Sequence, residues 1–355
     1  MLYVCLSFDY ELFMGVNYVP EEDVLIKPTQ KLMKALNAVD VSGTFFADVC
    51  CSMAYRNFHQ NHFSDMFDEQ LRDLHTNGQD VQLHIHPHWL KATRLGSQIE
   101  FERKYYRIHN WAGNNGDMQP VEDIIKNGVD YLNSVIKPID ESYKCIAFRA
   151  GGYCLQPEVE LADILYRNGI RIDSSVCMGM AYDGSGMLYD YSNFPKHPRF
   201  TNIYIGNGYD LDGCNTTDKS RCVLEVPVGG YSKFPYRPVA SKLNDKITNS
   251  APRGYGMKLD REISKPSRNL IERMRQIYKS TNMLTFDFYN RDSMTYMLKR
   301  YAKENKNDSI ISIITHPKAL SDEHIDNIVN TVKDLRHYES VKFVSMVQVA
   351  NMLGL

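Results

Sequence analysis

The chain has 355 residues, 43% of them hydrophobic, which suits a globular protein with a sizeable core. Its 41 basic and 43 acidic residues nearly cancel, so the excess of positive charge on which nucleic-acid binding depends is absent. No stretch approaches the roughly 20 consecutive apolar residues that cross a bilayer, so we expect no membrane span.

The start of the chain and its cysteines favour a cytoplasmic location. Residues 1–9 enter a strand-like pattern at once, without a basic leader or a cleavage site, so we expect no secretory signal. The eight cysteines are scattered, form no CxxC pair and mostly lie in or beside apolar runs. This distribution indicates buried, reduced thiols and not a disulfide framework.

Short apolar runs alternate with helical patterns along the chain. Strands are predicted at 2–8, 43–49, from 81 onward, and at 145–148, 170–173, 221–226, 309–314 and 341–345. Helices are predicted at 28–39, 63–75, 120–136, 157–167, 269–305 with breaks, 322–335 and in a closing segment. Nearly continuous apolar strands between helices predict a parallel sheet, and seven or eight such units predict a barrel. We expect one domain over 1–355.

Two long segments, at about 89–119 and 178–220, interrupt this alternation. Both are rich in Tyr, Asn, Asp and Gly. Long ordered loops usually carry function, and tyrosines and amides suit the faces and hydroxyls of sugars, so we expect contacts with a saccharide. The alternative is that the same residues pack each loop on itself.

The third predicted strand ends in three histidines at alternate positions, His84, His86 and His88. In an extended strand alternate side chains share a face, so the three imidazoles would converge on one point. Imidazole is the commonest protein ligand for zinc and similar metals, so the pattern predicts the floor of a metal site. Pro87 can bend the chain out of the strand and break the alternation. The alternative is a polar strand end that meets only water.

Two carboxylates, Asp9 and Glu11, follow the first strand, and both face the barrel mouth if the strand stays extended. Such a pair repels itself unless a cation lies between the carboxylates or one of them works as a base. Two histidines and one carboxylate would leave a metal position open for water, as hydrolysis requires. A turn or helix-capping role is the alternative for each carboxylate.

Three further strand ends carry an ionisable group. Arg149 stands before a glycine pair and could hold a nearby carboxylate in its ionised form. Asp173 and His316 end two later strands. Five strand ends with such groups follow the rule that the chemistry of a β/α barrel lies at the carboxyl ends of its strands.

The order of these motifs resembles that of the polysaccharide deacetylase superfamily (NodB homology, carbohydrate esterase family 4). The matching segments are Ser7–Glu11, His84–His88, Phe148–Tyr153, Asp173 and Thr315–Pro317. The likeness is closest to the branch found with bacterial surface-polysaccharide genes, those for O-antigen or capsule. It implies a distorted (β/α)7 barrel with long loop insertions. It also implies a metal-dependent hydrolase that removes an N-acyl group, usually N-acetyl, from a sugar of such a polysaccharide or its precursor.

The same resemblance implies a role for each catalytic residue. Asp9 would be the general base that activates water, and Arg149 would orient it. His316 would be the general acid that protonates the leaving amine, tuned by Asp173. These roles meet the demands of amide hydrolysis, which needs a nucleophile at neutral pH and a proton for a poor leaving group.

For the metal, the resemblance implies a divalent ion, zinc before others, bound by His84, His88 and Glu11. The first motif departs from the usual pattern of two adjacent aspartates. Either Glu11 reaches the same metal, or Asp9 binds it and leaves the base unassigned. His86 is either a third imidazole ligand or a group just outside the ligand set.

Two other functions stay open. An amidohydrolase of another class also carries HxH on a barrel strand, although there the motif lies on the first strand. A glycan-binding barrel that has lost turnover is the second alternative. Retention of Asp9, His84, His88 and His316 argues against such a loss.

Overall fold

The structure is a computed structural model that describes residues 1–13, 20–96, 98–194, 204–206, 221–231, 282–287, 289–305 and 307–355. The strands within these ranges are β1 (Leu2–Tyr10), β2 (Thr44–Asp48), β3 (Asp80–Ile85), β4 (Thr93–Leu95), β5 (Gln98–Glu100), β6 (Ala147–Ala150), β7 (Ile172–Asp173), β8 (Ala181–Gly184), β9 (Met187–Asp190), β10 (Tyr204–Gly206), β11 (Cys222–Glu225), β12 (Gly230–Tyr231), β13 (Asn282–Met283), β14 (Ser309–Thr315) and β15 (Val341–Phe343).

The helices are α1 (Lys27–Asn37), α2 (Val49–Asn57), α3 (Asn61–Thr76), α4 (Gln119–Ile136), α5 (Glu158–Arg167), α6 (Arg291–Glu304), α7 (Asp322–Leu335) and α8 (Met346–Leu353). Short helical turns cover Glu22–Ile26, Pro87–Lys91, Arg103–Tyr106, Ile108–Trp111, Asn114–Gly116, Gly151–Tyr153 and Pro317–Ala319. Of the helices in the described ranges, none has both the length and the apolar character that a bilayer crossing needs.

The main sheet has the strand order β10-β11-β7-β6-β3-β2-β1-β14, and β15 also pairs with β1. All its described pairs are parallel except β10–β11. Beyond β11 the sheet curls back on itself, because single bridges join Cys177 to Val228 and Val228 to Ser312 on β14. Seven parallel strands therefore surround the core, and the predicted α/β barrel is confirmed. Closure by single bridges is what makes the barrel distorted.

The burial of the strands explains their composition. Along β1 and β14 nearly every residue is buried, as expected for parallel strands that are covered on both faces. Helices pack outside through one apolar face, as α1 does with Leu32 and Leu36. At the start of α7, the hydroxyl of Ser321 accepts a hydrogen bond from the backbone of His324 and satisfies a free N–H group.

Two predicted elements differ from the structure. Residues 49–57, which the sequence analysis left without a helix, form α2, whose residues are buried on most sides and lack a clear apolar stripe. A long helix with breaks was predicted over 269–305. Positions 269–281 and 288 lie outside the described residues. In the described part, the helix α6 begins only at Arg291.

The insertions carry small elements of their own. Residues 89–119 contain the β4–β5 hairpin and three short helical turns, and residues 178–220 contain the β8–β9 hairpin and β10. Positions 195–203 and 207–220 of the second insertion lie outside the described residues.

Candidate metal and catalytic site

The carboxyl ends of neighbouring strands bring the candidate residues together. On β2, β3 and β6, the register aligns Asp48, His84 and Arg149 side by side. Asp9, near the end of β1, and Glu11, just beyond it, stand on the next strand of the same row. All five side chains are buried, although all five are charged or polar. Such burial is tolerated only where the groups pair with one another or with an ion.

Two of these groups, Glu11 and His84, could hold a metal ion together with His86. Glu11, His84 and His86 each offer one donor atom, and the three atoms lie within 4.8 Å of one another. His84 Nε2 is 3.2 Å from Glu11 Oε2, and His86 Nε2 approaches the same oxygen more closely. His84 Nδ1 lies 2.8 Å from the backbone oxygen of Arg149, so it carries the proton and leaves Nε2 free to bind a metal. Two imidazoles and one carboxylate suit a divalent transition metal.

His88, predicted as a metal ligand, is not part of this group. The third donor is His86, which was predicted only as a possible extra ligand. Strand β3 ends before His86, and the helical turn Pro87–Lys91 carries His88 away. Its ring centre lies 4.4 Å from that of Tyr106, and neither ring nitrogen has a hydrogen-bond partner among the described residues. Burial lowers the pKa of His88 to about 2, so the ring is neutral.

A glycine allows His86 to reach this position. A Cβ atom on Gly151, just after β6, would lie 2.5 Å from the backbone oxygen of Ile85 and 2.7 Å from His86 Nδ1. Any larger residue would therefore displace the imidazole or the strand end.

Glu11 divides its two oxygens between different partners. Oε1 accepts a hydrogen bond of 2.6 Å from Lys318 Nζ, while Oε2 faces the two histidines. Burial would raise the pKa of Glu11, but Lys318 and His86 outweigh it and hold the pKa well below its usual range. Lys318, a buried lysine two positions after His316, was not among the predicted site residues.

Asp9 is held by Arg149, the contact that the resemblance implies. Arg149 Nη1 donates to Asp9 Oδ1 at 2.5 Å, and the remaining guanidinium contacts go to Ser174 and Ser312. Burial favours the neutral acid, but Arg149 and then His84 outweigh it and lower the pKa of Asp9. Its free oxygen, Oδ2, lies 3.8 Å from His84 Nε2. Asp9 is therefore an ionised carboxylate with one oxygen turned to the metal donors.

His316 stands on the opposite side of Asp9 and is held by Asp287. Its Nδ1 lies 2.6 Å from Asp287 Oδ2, and its Nε2 lies 3.9 Å from Asp9 Oδ2. Burial would lower the pKa of His316, but Asp287 outweighs it and raises the pKa. The bridge from Thr285 to Ile314 on β14 brings Asp287 to this strand end.

Asp173, which the resemblance assigned to His316, is bound elsewhere. Both its oxygens accept hydrogen bonds from Ser175, at 2.9 Å from the backbone nitrogen and 2.8 Å from the hydroxyl. Its register partner on β11 is Glu225, and both carboxyls are fully buried. Burial raises the pKa of both groups, and for Glu225, where the charge of Asp173 adds to the effect, well above its usual range. The partner of His316 is Asp287, and Asp173 belongs to a separate carboxyl pair.

Burial also affects His84. By itself it would lower the pKa of the imidazole, but Asp9 and Glu11 outweigh it and raise the pKa to about 9. Because a metal binds only the unprotonated Nε2, metal binding at neutral pH displaces a proton from this site.

Comparison with known proteins gave matches among solved structures only. No protein-family model matches the sequence, and no curated protein matches it. Similar structures include a Mycobacterium smegmatis protein assigned as a polysaccharide deacetylase, at 12% identity over 99% of this chain and 89% of that chain, with a TM-score of 0.48. Another is the 4-alpha-glucanotransferase of Thermococcus litoralis, at 10% identity over 99% of this chain and 40% of that chain, with a TM-score of 0.48.

A third is a family 4 acetyl xylan esterase from Clostridium thermocellum in complex with a cobalt ion, at 12% identity over 99% of this chain and 92% of that chain, with a TM-score of 0.37. Polysaccharide deacetylases and family 4 carbohydrate esterases are thus among the solved structures that this chain resembles. The barrel itself follows from the strand pairing within this chain.

Proposed function

We propose that this chain is a metal-dependent carbohydrate N-deacetylase, a hydrolase that removes an N-acyl group, in the first place N-acetyl, from a sugar. One observation carries the proposal. A three-donor metal set, a carboxylate held ionised by a buried arginine, and a histidine held by a second carboxylate face one another at the mouth of one barrel. These are the parts that hydrolysis of an amide requires.

The donor set fits a divalent metal. Glu11, His84 and His86 supply one oxygen and two nitrogens, a combination that zinc accepts readily and that cobalt, nickel and iron also accept. A divalent ion held there supplies Lewis acidity, which lowers the pKa of water and polarises an acyl oxygen.

The chain's own residues handle the protons. Asp9 is ionised and has only Oδ2 free, because Arg149 holds Oδ1, so Oδ2 accepts the proton of the attacking water. His316 bonds Asp287 through Nδ1, which leaves Nε2 directed at the site to donate a proton to the leaving nitrogen. The two atoms lie 3.9 Å apart, so the base and the acid face the same part of the site.

The proposed substrate is an N-acylated sugar of a bacterial surface polysaccharide or its precursor. The order of the sequence motifs supports this class. The second insertion supports it as well, since its β8–β9 hairpin carries Tyr182, which is exposed, stacked on Tyr189. Exposed aromatic faces of this kind pack against sugar rings.

The test is release of acetate from N-acetylated nucleotide sugars and oligosaccharides, with the metal-free protein reloaded with zinc, cobalt or nickel. We expect acetate and free amine in equal amounts from at least one substrate, with release abolished by a chelator and restored by metal. A metal-loaded protein that releases no acetate from any N-acetylated sugar would contradict the proposal.

A further inference from the structure

Asp48 is a buried carboxylate beside the metal donors that the proposed mechanism does not use. It is the last residue of β2, and its register partner on β3 is His84. Paired residues of adjacent strands project to the same side of a sheet, so Asp48 points into the barrel as His84 does. On the other side of β2, Tyr10 of β1 pairs with Ala47. The next residues of the two segments, Glu11 and Asp48, therefore lie beside each other.

The two oxygens of Asp48 differ in their partners. Oδ1 accepts a hydrogen bond of 3.1 Å from the backbone nitrogen of His86. Oδ2 is buried and has no hydrogen-bond partner among the residues that the structure describes. The residue has 0% exposure, so bulk water does not solvate that oxygen. A buried carboxylate oxygen without a donor or a cation is unfavourable, and it marks a place where a ligand is missing.

The buried cations of the site already have other partners. Lys318 donates to Glu11, and Arg149 donates to Asp9. Among the described residues, neither of these two side chains donates a hydrogen bond to Asp48. A divalent cation at the neighbouring donors would supply positive charge where Asp48 Oδ2 has no partner.

We infer that Asp48, next to the donors Glu11, His84 and His86, strengthens the binding of a cation there through its negative charge. Asp48 would also fix His86 through the hydrogen bond from its backbone nitrogen. The inference rests on the proposed metal site and extends it by one residue.

The test is metal binding, measured without turnover. Metal-free wild type and Asp48→Asn are titrated with Co²⁺, and affinity and the visible absorption spectrum are recorded. Asparagine keeps an oxygen for the backbone N–H of His86 and removes the negative charge. We expect affinity about 10- to 100-fold lower and a changed spectrum, because the charge next to the ligands and the support of His86 are altered. Asp48→Ser serves if the asparagine variant does not fold.

Glu225→Gln is the matched control, because it neutralises another fully buried carboxyl at a strand end away from the donors. It should bind Co²⁺ as the wild type does. Wild-type affinity and an unchanged spectrum in Asp48→Asn would overturn the inference and leave the proposed function intact. If the wild type itself bound no metal, the proposed function would fail together with this inference.

Discussion

At the scale of single residues, the site depends on which partner each carboxylate oxygen contacts. Glu11 gives one oxygen to Lys318 and the other to the histidines, and Asp9 gives one oxygen to Arg149 and keeps one free. Burial alone would neutralise both carboxyls, and the neighbouring cations prevent it. The charge of each group is therefore set by one identifiable partner.

The choice between His86 and His88 gives the first prediction. His86→Ala should abolish stoichiometric metal binding, because it removes one of three donors. His88→Phe should retain metal, because the His88 ring is not a donor and packs against the ring of Tyr106. Elemental analysis of the two purified variants and the wild type measures this. Loss of metal from His88→Phe with retention in His86→Ala would restore the ligand pair expected from the sequence.

The pairing of Asp287 with His316 gives a second prediction. Without Asp287, burial dominates and the pKa of His316 falls. A general acid works only while protonated, so in Asp287→Asn the alkaline limb of the kcat/KM profile should move to lower pH. Asp173→Asn, whose carboxyl contacts Ser175 instead, should leave that limb in place. A shift in Asp173→Asn alone would contradict the assignment.

Most site residues could be predicted from the sequence, because strand ends of a barrel meet at one rim. Two could not. Asp287 lies 29 residues before His316, and only the bridge from Thr285 to β14 brings it near. His88 was favoured over His86 by the motif resemblance, although strand alternation alone made both eligible, and Pro87 decides between them by ending the extended backbone.

At the scale of elements, the pairing of two strands brings two buried carboxyl groups together. The ends of β7 and β11 place Asp173 and Glu225 in register, both buried. Because two such anions repel each other in a low-dielectric interior, the folded protein keeps a proton on Glu225 that the unfolded chain releases above a pKa of about 4.5. The pair therefore makes this strand contact dependent on pH.

The third prediction concerns the stability of that contact. A carboxyl whose pKa is raised by folding contributes its full stability below the unfolded pKa, and the contribution declines as pH rises toward the folded pKa. Glu225→Gln stays neutral at every pH, so its free energy of unfolding should improve relative to wild type as pH rises above about 4.5, by at most about 1.4 kcal/mol per pH unit. Urea unfolding over a pH series measures this difference, and parallel curves for the two proteins would refute the raised pKa of Glu225.

At this scale the sequence was most informative where periodicity was strong. Strands β1 and β14 and helices α1, α4 and α7 lie close to their predicted limits, because their apolar residues repeat with the period of the element. Helix α2 was missed because its residues are buried on most sides and leave no stripe to detect.

At the scale of the whole molecule, the barrel explains how residues from positions 9 to 316 reach one site. Parallel strands with helical crossovers place every carboxyl end at the same rim, so five strand ends can each contribute a group. The sequence predicted this architecture. It did not predict the closure through Val228, which depends on single bridges between distant segments.

The central claim is that a metal set and a separate ionised base act together on an N-acylated sugar. Acetate release and metal content, measured in the same preparations of wild type and Asp9→Asn, test it most directly. We predict that Asp9→Asn keeps stoichiometric metal and folds normally but loses acetate release by about 100-fold or more, because general-base catalysis is removed. An Asp9→Asn protein that binds metal and releases acetate at the wild-type rate would contradict the account.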